Sequence, residues 1–286
     1  MLFVQIVNGL MEGVMLFMVA SGLTLIFGVS RIVNFAHGSF FMLGAFLTYQ
    51  FAPHILPGTM LGFVLTVIMA GMLTAFVGAC FEVIVLRRIY HAEELLQLIV
   101  TVGMVMIMRD VVRVVWGMND LATAIPDAMS GAVNVDSYWF PIYNLGVMGI
   151  GLLVVVVLWA VVRFTRVGVL LRAATDDRGM VALLGINQAY IFTGVFASGS
   201  LLAGIAGGLA APLGSINFLL DTTVITGAFL VVVIGGLGSL SGAFAAALAI
   251  GVLKAVGVLY FPRAAMVTAF VIMAIVLIVR SFKARG

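Results

Sequence analysis

The sequence predicts an all-α, polytopic membrane protein of eight to nine transmembrane helices, some of them short or broken. Three observations carry this. Hydrophobic residues make up 64% of the 286-residue chain and charged residues only 9%. Mean hydropathy is +1.30. Apolar runs of about 20 residues, the length that crosses ~30 Å of hydrocarbon at 1.5 Å per residue, recur along the whole chain.

Taken in order, the apolar windows fall at roughly 4–29, 36–52, 60–86, 95–115, 142–162, 189–213, 223–240, 242–260 and 264–280. The second is short and the seventh is interrupted by Gly235, Gly236 and Gly238, so either is expected to be a half-helix or a re-entrant element. Met1 to Val29 has no basic stretch ahead of its apolar run and is followed by further spans, so it is expected to be retained rather than cleaved. Small residues at Gly204 and Gly208, and at Ala247 and Gly251, have the spacing of helix packing surfaces, including packing against a second membrane chain.

The basic residues fix an expected orientation. With Arg31, Arg87, Arg88, the four arginines between Arg163 and Arg178, and Arg280, Lys283 and Arg285 all in the cytoplasm, most of the 14 Lys and Arg lie inside, and so does the C-terminus. The main outer loop is then about 116–140, free of Lys and Arg, acidic at Asp120, Asp127 and Asp136, and bracketed by Trp116 and Trp139. Arg109, Asp110, Arg113 and Arg263 fall near outer ends, where they either snorkel and pair locally or line a path. A pI near 9.3 reflects this inside bias and not a nucleic-acid stripe. Cys80 is alone in an apolar run, which excludes an internal disulfide and suits a buried small hydrophobe.

Residues 163–188, RFTRVGVLLRAATDDRGMVALLGINQ, are a polar island between two apolar runs. Thr175 followed by Asp176 and Asp177 has the pattern of an N-cap with acids in the first turn, and Gly185 with Asn187 that of a stop, which predicts a helix over 176–184. Upstream, an amphipathic turn from Val167 to Ala174 would leave Ala173 and Ala174 as small side chains at a bend. The segment is either a docking element for a soluble partner or an ordinary interfacial helix.

Within the island, RAATDDRGMVALLGIN resembles the cytoplasmic coupling segment of ABC-importer permeases, in the form found in permeases of branched-chain amino-acid importers. Two further stretches resemble the same family in the same order, Gly22 to Ala45 (GLTLIFGVSRIVNFAHGSFFMLGA) and Ala228 to Gly251, AFLVVVIGGLGSLSGAFAAALAIG. Many similar members carry a lysine where this chain has Gly227. The resemblance implies a type II-like permease fold over a single transmembrane domain, 1–286, in a bacterial inner membrane. It also implies a complex with a second homologous permease, two ATP-binding subunits and a periplasmic or extracellular substrate-binding protein. On that reading Arg172, Ala173, Ala174, Asp176, Asp177, Ala182 and Gly185 couple the chain to an ATPase. The chain has no GxxxxGK[ST] loop, so no cofactor of its own is expected and ATP is left to the partners.

Candidate pathway or gate residues are Asn34, His37 and Gly38 at the cytoplasmic start of the second segment, and Gly235, Gly236, Gly238 and Ser239 near the end of the seventh. Asn34 and His37 either pin a discontinuous helix at the inner mouth or cap a helix and bond backbone carbonyls. The glycines either break a helix beside the path, where free N–H groups suit a substrate carboxylate, or let helices pack closely. Two rival functions have sequence signatures to test. An ion-coupled secondary transporter needs acids deep in spans, for which Glu12 and Glu82 are the candidates, both placed near helix ends. An intramembrane serine protease needs a base for Ser198, Ser200, Ser239 or Ser241, and only His37 is placed to serve. The chain itself is expected to be a transporter, not an enzyme.

Overall fold

A computed structural model describes residues 2–90, 92–135, 138–176, 181, 183 and 185–260. The described helices are α1 (Leu2–Ser30), α2 (His37–Phe51), α3 (Met60–Ile84), α4 (Glu94–Trp116), α5 (Ile142–Phe164), α6 (Arg166–Asp176), α7 (Gln188–Ala210), α8 (Leu220–Gly235) and α9 (Leu240–Tyr260). Six of them, α1, α3, α4, α5, α7 and α9, are long and apolar enough to cross a membrane, and α8 is a shorter apolar helix. With α2 these account for eight of the nine windows; the ninth, 264–280, lies outside the described residues, as do Arg263 and the C-terminal basic residues.

Local chemistry explains several element boundaries. Thr59 starts α3 by accepting the Gly62 N–H at 3.1 Å, and Asn187 starts α7 by accepting the Ala189 N–H at 3.0 Å. Asn187 is therefore a cap for the following helix, not part of a stop. The 116–140 loop departs from all-α structure with an antiparallel hairpin of β1 (Ala132–Val135) and β2 (Tyr138–Pro141) and a single antiparallel bridge from Leu121 to Ile216. Val133 stands opposite Phe140 and Val135 opposite Tyr138, and such β-branched and aromatic pairs suit a strand pairing.

The bundle is built round α1 and α7, and glycine is what lets their neighbours approach. A methyl group added at Gly9 or Gly13 of α1 would meet the backbone of Val252 or Ala247 in α9 at 2.6 and 2.8 Å. One added at Gly22 would lie 2.5 Å from the Gly199 carbonyl of α7. One at Gly44 of α2 would lie 2.6 Å from the Gly204 Cα. In lipid there is little hydrophobic gain from helix association, so close backbone packing of this kind supplies it. Gly204, Gly208, Ala247 and Gly251 are thus consumed inside this chain, Gly208 against Thr48 and Val67, and are not open to a second permease. Tyr143 of α5, 1% exposed, donates to the Leu209 carbonyl at 2.7 Å and closes the bundle beside the hairpin. Cys80 is half-buried in α3.

Two helices begin inside the bundle. After Arg31, whose φ is +54°, residues 32–36 turn back along α1, and α2 starts where His37 Nε2 donates to the Val19 carbonyl at 2.9 Å. Val19 is 11 residues from the end of α1, so the start of α2 lies about 16 Å back from that end. Residues 214–219 likewise return from the end of α7 without helix before α8 begins. Both short windows are half-helices of 15 and 16 residues.

Gly44→Val should lower thermal stability of the detergent-solubilised protein by about 1–3 kcal/mol, because the Gly204 backbone cannot yield. Gly194→Ala, on the open side of the same helix pair with nothing within 4 Å, should raise it by about 0.5–1 kcal/mol.

Candidate functional site

The basic-end segment differs from its expected form. Thr165 accepts the Gly168 N–H at 3.2 Å and caps α6, which then runs without a break from Arg166 through Asp176. Thr175 is consequently a residue of α6 whose hydroxyl donates to the Leu171 carbonyl at 2.8 Å and not a cap, while the helix expected over 176–184 falls mostly outside the described residues, with Val181 and Leu183 described and helical. The cap preference of Thr175 loses because Thr165 fixes the helix ten residues earlier. Arg172 is exposed and its guanidinium donates to the Val162 carbonyl of α5. Ala173 is half-buried, and Ala174 is packed into the main core at 3% exposure. Asp176 ends the helix, while Asp177 and Ala182 lie outside the described residues. Gly185 has φ +76° in open space, as a helix stop requires.

The glycine cluster sits beside this segment. α8 ends at Gly235, Gly236 and Gly238 take φ +101° and +85°, and Ser239 accepts the Gly242 N–H at 3.2 Å to start α9. The cluster is a tight turn between two helices and not a broken helix along a path. A methyl group at Gly28, near the end of α1, would lie 3.2 Å from Gly238 Cα and 3.9 Å from Thr175 Oγ1. The end of α6, the end of α1 and the α8–α9 turn therefore touch at one point.

Asn34 and His37 are not at the mouth of the bundle but deep in it, both 0% exposed. The Asn34 side-chain oxygen accepts the Ala36 N–H at 3.1 Å and its carbonyl accepts the His37 N–H at 3.3 Å, so it shapes the turn into α2. Among the described residues His37 Nδ1 has no hydrogen-bond partner and Nε2 is committed to the Val19 carbonyl, so none of the candidate serines is paired with it for a protease dyad. Gly38 is required by close approach: a methyl there would lie 2.5 Å from the Asp221 carbonyl.

Asp221, in the first turn of α8 and 2% exposed, was not singled out by the sequence. It receives Arg109 Nε at 2.9 and 3.1 Å, Arg109 Nη2 at 2.9 Å, the Ser39 hydroxyl at 3.2 Å and the Thr222 hydroxyl at 3.2 Å. Arg109 thus pairs across helices, while only Arg113 pairs locally, with Asp110 at 3.5 Å. The available signal was an acid in an otherwise apolar half-helix and an arginine a turn inside Arg113, since a carboxylate in lipid needs a cation.

The two acids expected near helix ends also find partners. Glu82 is near the end of α3 as expected but fully buried, and is bound by Arg87 Nη2 at 3.3 Å, the Tyr90 hydroxyl at 2.9 Å and the Thr193 hydroxyl at 2.6 Å. Glu12 pairs with Lys254. A cavity of about 670 Å³ opens beside Asn8, Glu12, Trp139 and Asn144, and another of about 330 Å³ lies between Tyr49, Phe63 and Asp127.

Residues 5–280 match the family described as branched-chain amino acid transport system / permease component. The chain belongs to that family. It is 28% identical over 268 residues to the high-affinity branched-chain amino acid transport system permease protein LivH of Escherichia coli (strain K12), covering 90% of this chain and 86% of LivH. LivH of Salmonella typhimurium matches at the same identity and coverage. The permease protein BraD of Pseudomonas aeruginosa is 28% identical over 262 residues, 88% of this chain and 85% of BraD. No solved structure matches it. Membership makes this all-α chain a membrane permease, and the paired state of Glu12 and Glu82 gives no support to an ion-coupled mechanism.

Glu82→Ala should leave the Arg87, Tyr90 and Thr193 donors without their acceptor and cost about 1–3 kcal/mol of stability. A thermal melt in detergent reads it, with Glu82→Gln closer to wild type.

Proposed function

We propose that this chain is one of two homologous permeases of an ABC importer for a branched-chain amino acid. Two ATP-binding subunits would drive it and a periplasmic binding protein would supply it. The observation that carries the reading is the family match over nearly the whole chain. The branched-chain amino-acid systems of LivH and BraD supply the substrate class. Placed by its basic residues, the α6 end of the bundle faces the cytoplasm and the hairpin end, with Trp116 and Trp139, faces the periplasm. The C-terminus is then cytoplasmic, ATP is bound by the partner subunits, and no cofactor is held here.

The α6 segment is the docking element. Arg172 and Ala173 offer side chains outward, Ala174 seats the helix on the core, and Asp176, Asp177, Ala182 and Gly185 complete the segment. A docking helix transmits work only if the ATPases bind it differently in two states of the transporter. Contact of Thr175 with Gly28 and Gly238 gives such a push two outlets, α1 and the α8–α9 turn, each the end of a packed helix that moves as a rigid body.

Gly185→Val forces a β-branched residue to φ +76°, at about 1–2 kcal/mol, and should disturb the segment without disturbing insertion. In the purified complex reconstituted with binding protein, ATPase activity should persist while amino-acid uptake falls severalfold or more. Wild-type coupling in that variant would remove α6–Gly185 from the ATPase contact. A preparation of the wild-type chain that carries no ATPase and takes up no amino acid would defeat the importer reading itself.

A further inference from the structure

Asp221 and Ser39 stand where the two half-helices begin. Ser39 is 12 residues from the far end of α2 and Asp221 is 14 residues from the far end of α8. At 1.5 Å per residue those ends are about 18 Å and about 21 Å away in opposite directions, which puts the Arg109–Asp221 pair near the middle of a bilayer.

Asp221 is saturated and buried, but Arg109 is neither. Its side chain is 29% exposed, and among the described residues its Nη1 group makes no hydrogen bond, leaving two of the five guanidinium donors facing outward. An arginine open to hydrocarbon at this depth is costly to insert. The face that carries it is therefore not a lipid face. The same face of α8 presents Thr222, Thr226 and Phe229 at i, i+4 and i+7, and Phe229 packs on Phe35 at 4.9 Å, both rings half-buried. A polar head and an apolar track are thus set side by side.

We propose that Arg109 and Asp221 form a transient intramembrane site for the α-carboxylate and α-ammonium groups of a zwitterionic amino acid. Its side chain would run along the Thr226–Phe229 track. The inference rests on the permease reading above. The pair has no net charge, so a simple anion or cation gains little there. A zwitterion offers both charges. Its carboxylate takes the outward Nη1 edge of Arg109, and its ammonium is received by Asp221 as the Arg109–Asp221 bonds are given up, with Ser39 and Thr222 holding the carboxylate oxygens in place. The one Arg109–Asp221 fork is exchanged for an Arg109–carboxylate contact and an ammonium–Asp221 ion pair, so little is gained overall and the solute is held weakly and released readily.

The test uses the complete complex with its ATPases and binding protein in proteoliposomes, with radiolabelled leucine as the probe. Arg109→Gln and Asp221→Asn should each reduce uptake about ten- to a hundredfold, the scale of a charged hydrogen bond, while recovery of the assembled complex with its ATPase subunits stays within about twofold of wild type. Arg109→Lys keeps the charge and the tie to Asp221 but loses the fork, and should still reduce uptake about tenfold, which covers the case of a glutamine variant that does not fold. Arg113→Gln, in the local exposed pair, should transport as wild type. Wild-type uptake in Arg109→Lys, or uptake restored by the charge exchange Arg109→Asp with Asp221→Arg, would overturn the proposal and leave the pair as a structural tie. Absence of leucine uptake by the wild-type complex would instead count against the branched-chain reading.

Discussion

Close approach of helix backbones at glycine is the constraint on which the other features of this chain depend. Two helices, α1 and α7, are lined with residues so small that their neighbours sit backbone to backbone, as Gly22 with Gly199 and Gly44 with Gly204 show. Because lipid tails compete equally for apolar side chains, a bundle with bulky residues at those points would have little reason to stay together. The tight central packing also supports the interruptions. A non-helical segment such as 32–36 is tolerable at membrane depth only where protein covers it, and Ile32, Asn34 and Ala36 are indeed buried.

Those interruptions turn a plain bundle into one with chemistry in its middle. A continuous span carries its polar termini to the headgroups, but α2 and α8 start within the bundle and bring a serine hydroxyl, an aspartate and a threonine with them. The close approach at Gly38 allows the two starts to meet, since any side chain there would strike the Asp221 backbone. Packing, interruption and ion pair are successive consequences of where glycine stands.

Much of the architecture was legible because it follows from a single period and a length. The eight described windows match the helices within a few residues at most boundaries, and the short second and interrupted seventh segments are the two half-helices. Local motifs were less safe. Thr175 with Asp176 has a sound N-cap pattern, yet Thr165 had already started the helix, and a cap signal cannot report that a competing cap lies upstream. Residue roles that depend on depth were least legible. Asn34 and His37 read as mouth residues from their place after Arg31, because nothing in the sequence says that the chain turns back along α1. Asp221 was passed over for a related reason: its partner is 112 residues away on α4, and only the fold brings Arg109 to it.

The position of α4 connects the ion pair with movement. Much of its surface is open, and it is fastened both by polar ties, Arg109 to Asp221, Thr101 to the Val33 carbonyl at 3.5 Å and Trp116 to Gln50 at 3.0 Å, and by apolar packing of Val100, Met104, Val105, Met108 and Val112 on the bundle. Thr101 reaches the returning segment before α2, and Arg109 reaches the start of α8. A helix with so much open surface depends more on each directional bond than one enclosed in the core, so breaking one bond changes its attachment more. If a zwitterion takes over the Arg109 fork, α4 loses its strongest tie to α8 at the moment the site is filled. α8 leads directly to the Gly236–Gly238 turn that touches Thr175. Substrate in the middle of the membrane and the segment assigned to the ATPases would then act on opposite ends of one half-helix, which is the differential contact that coupling between two states requires.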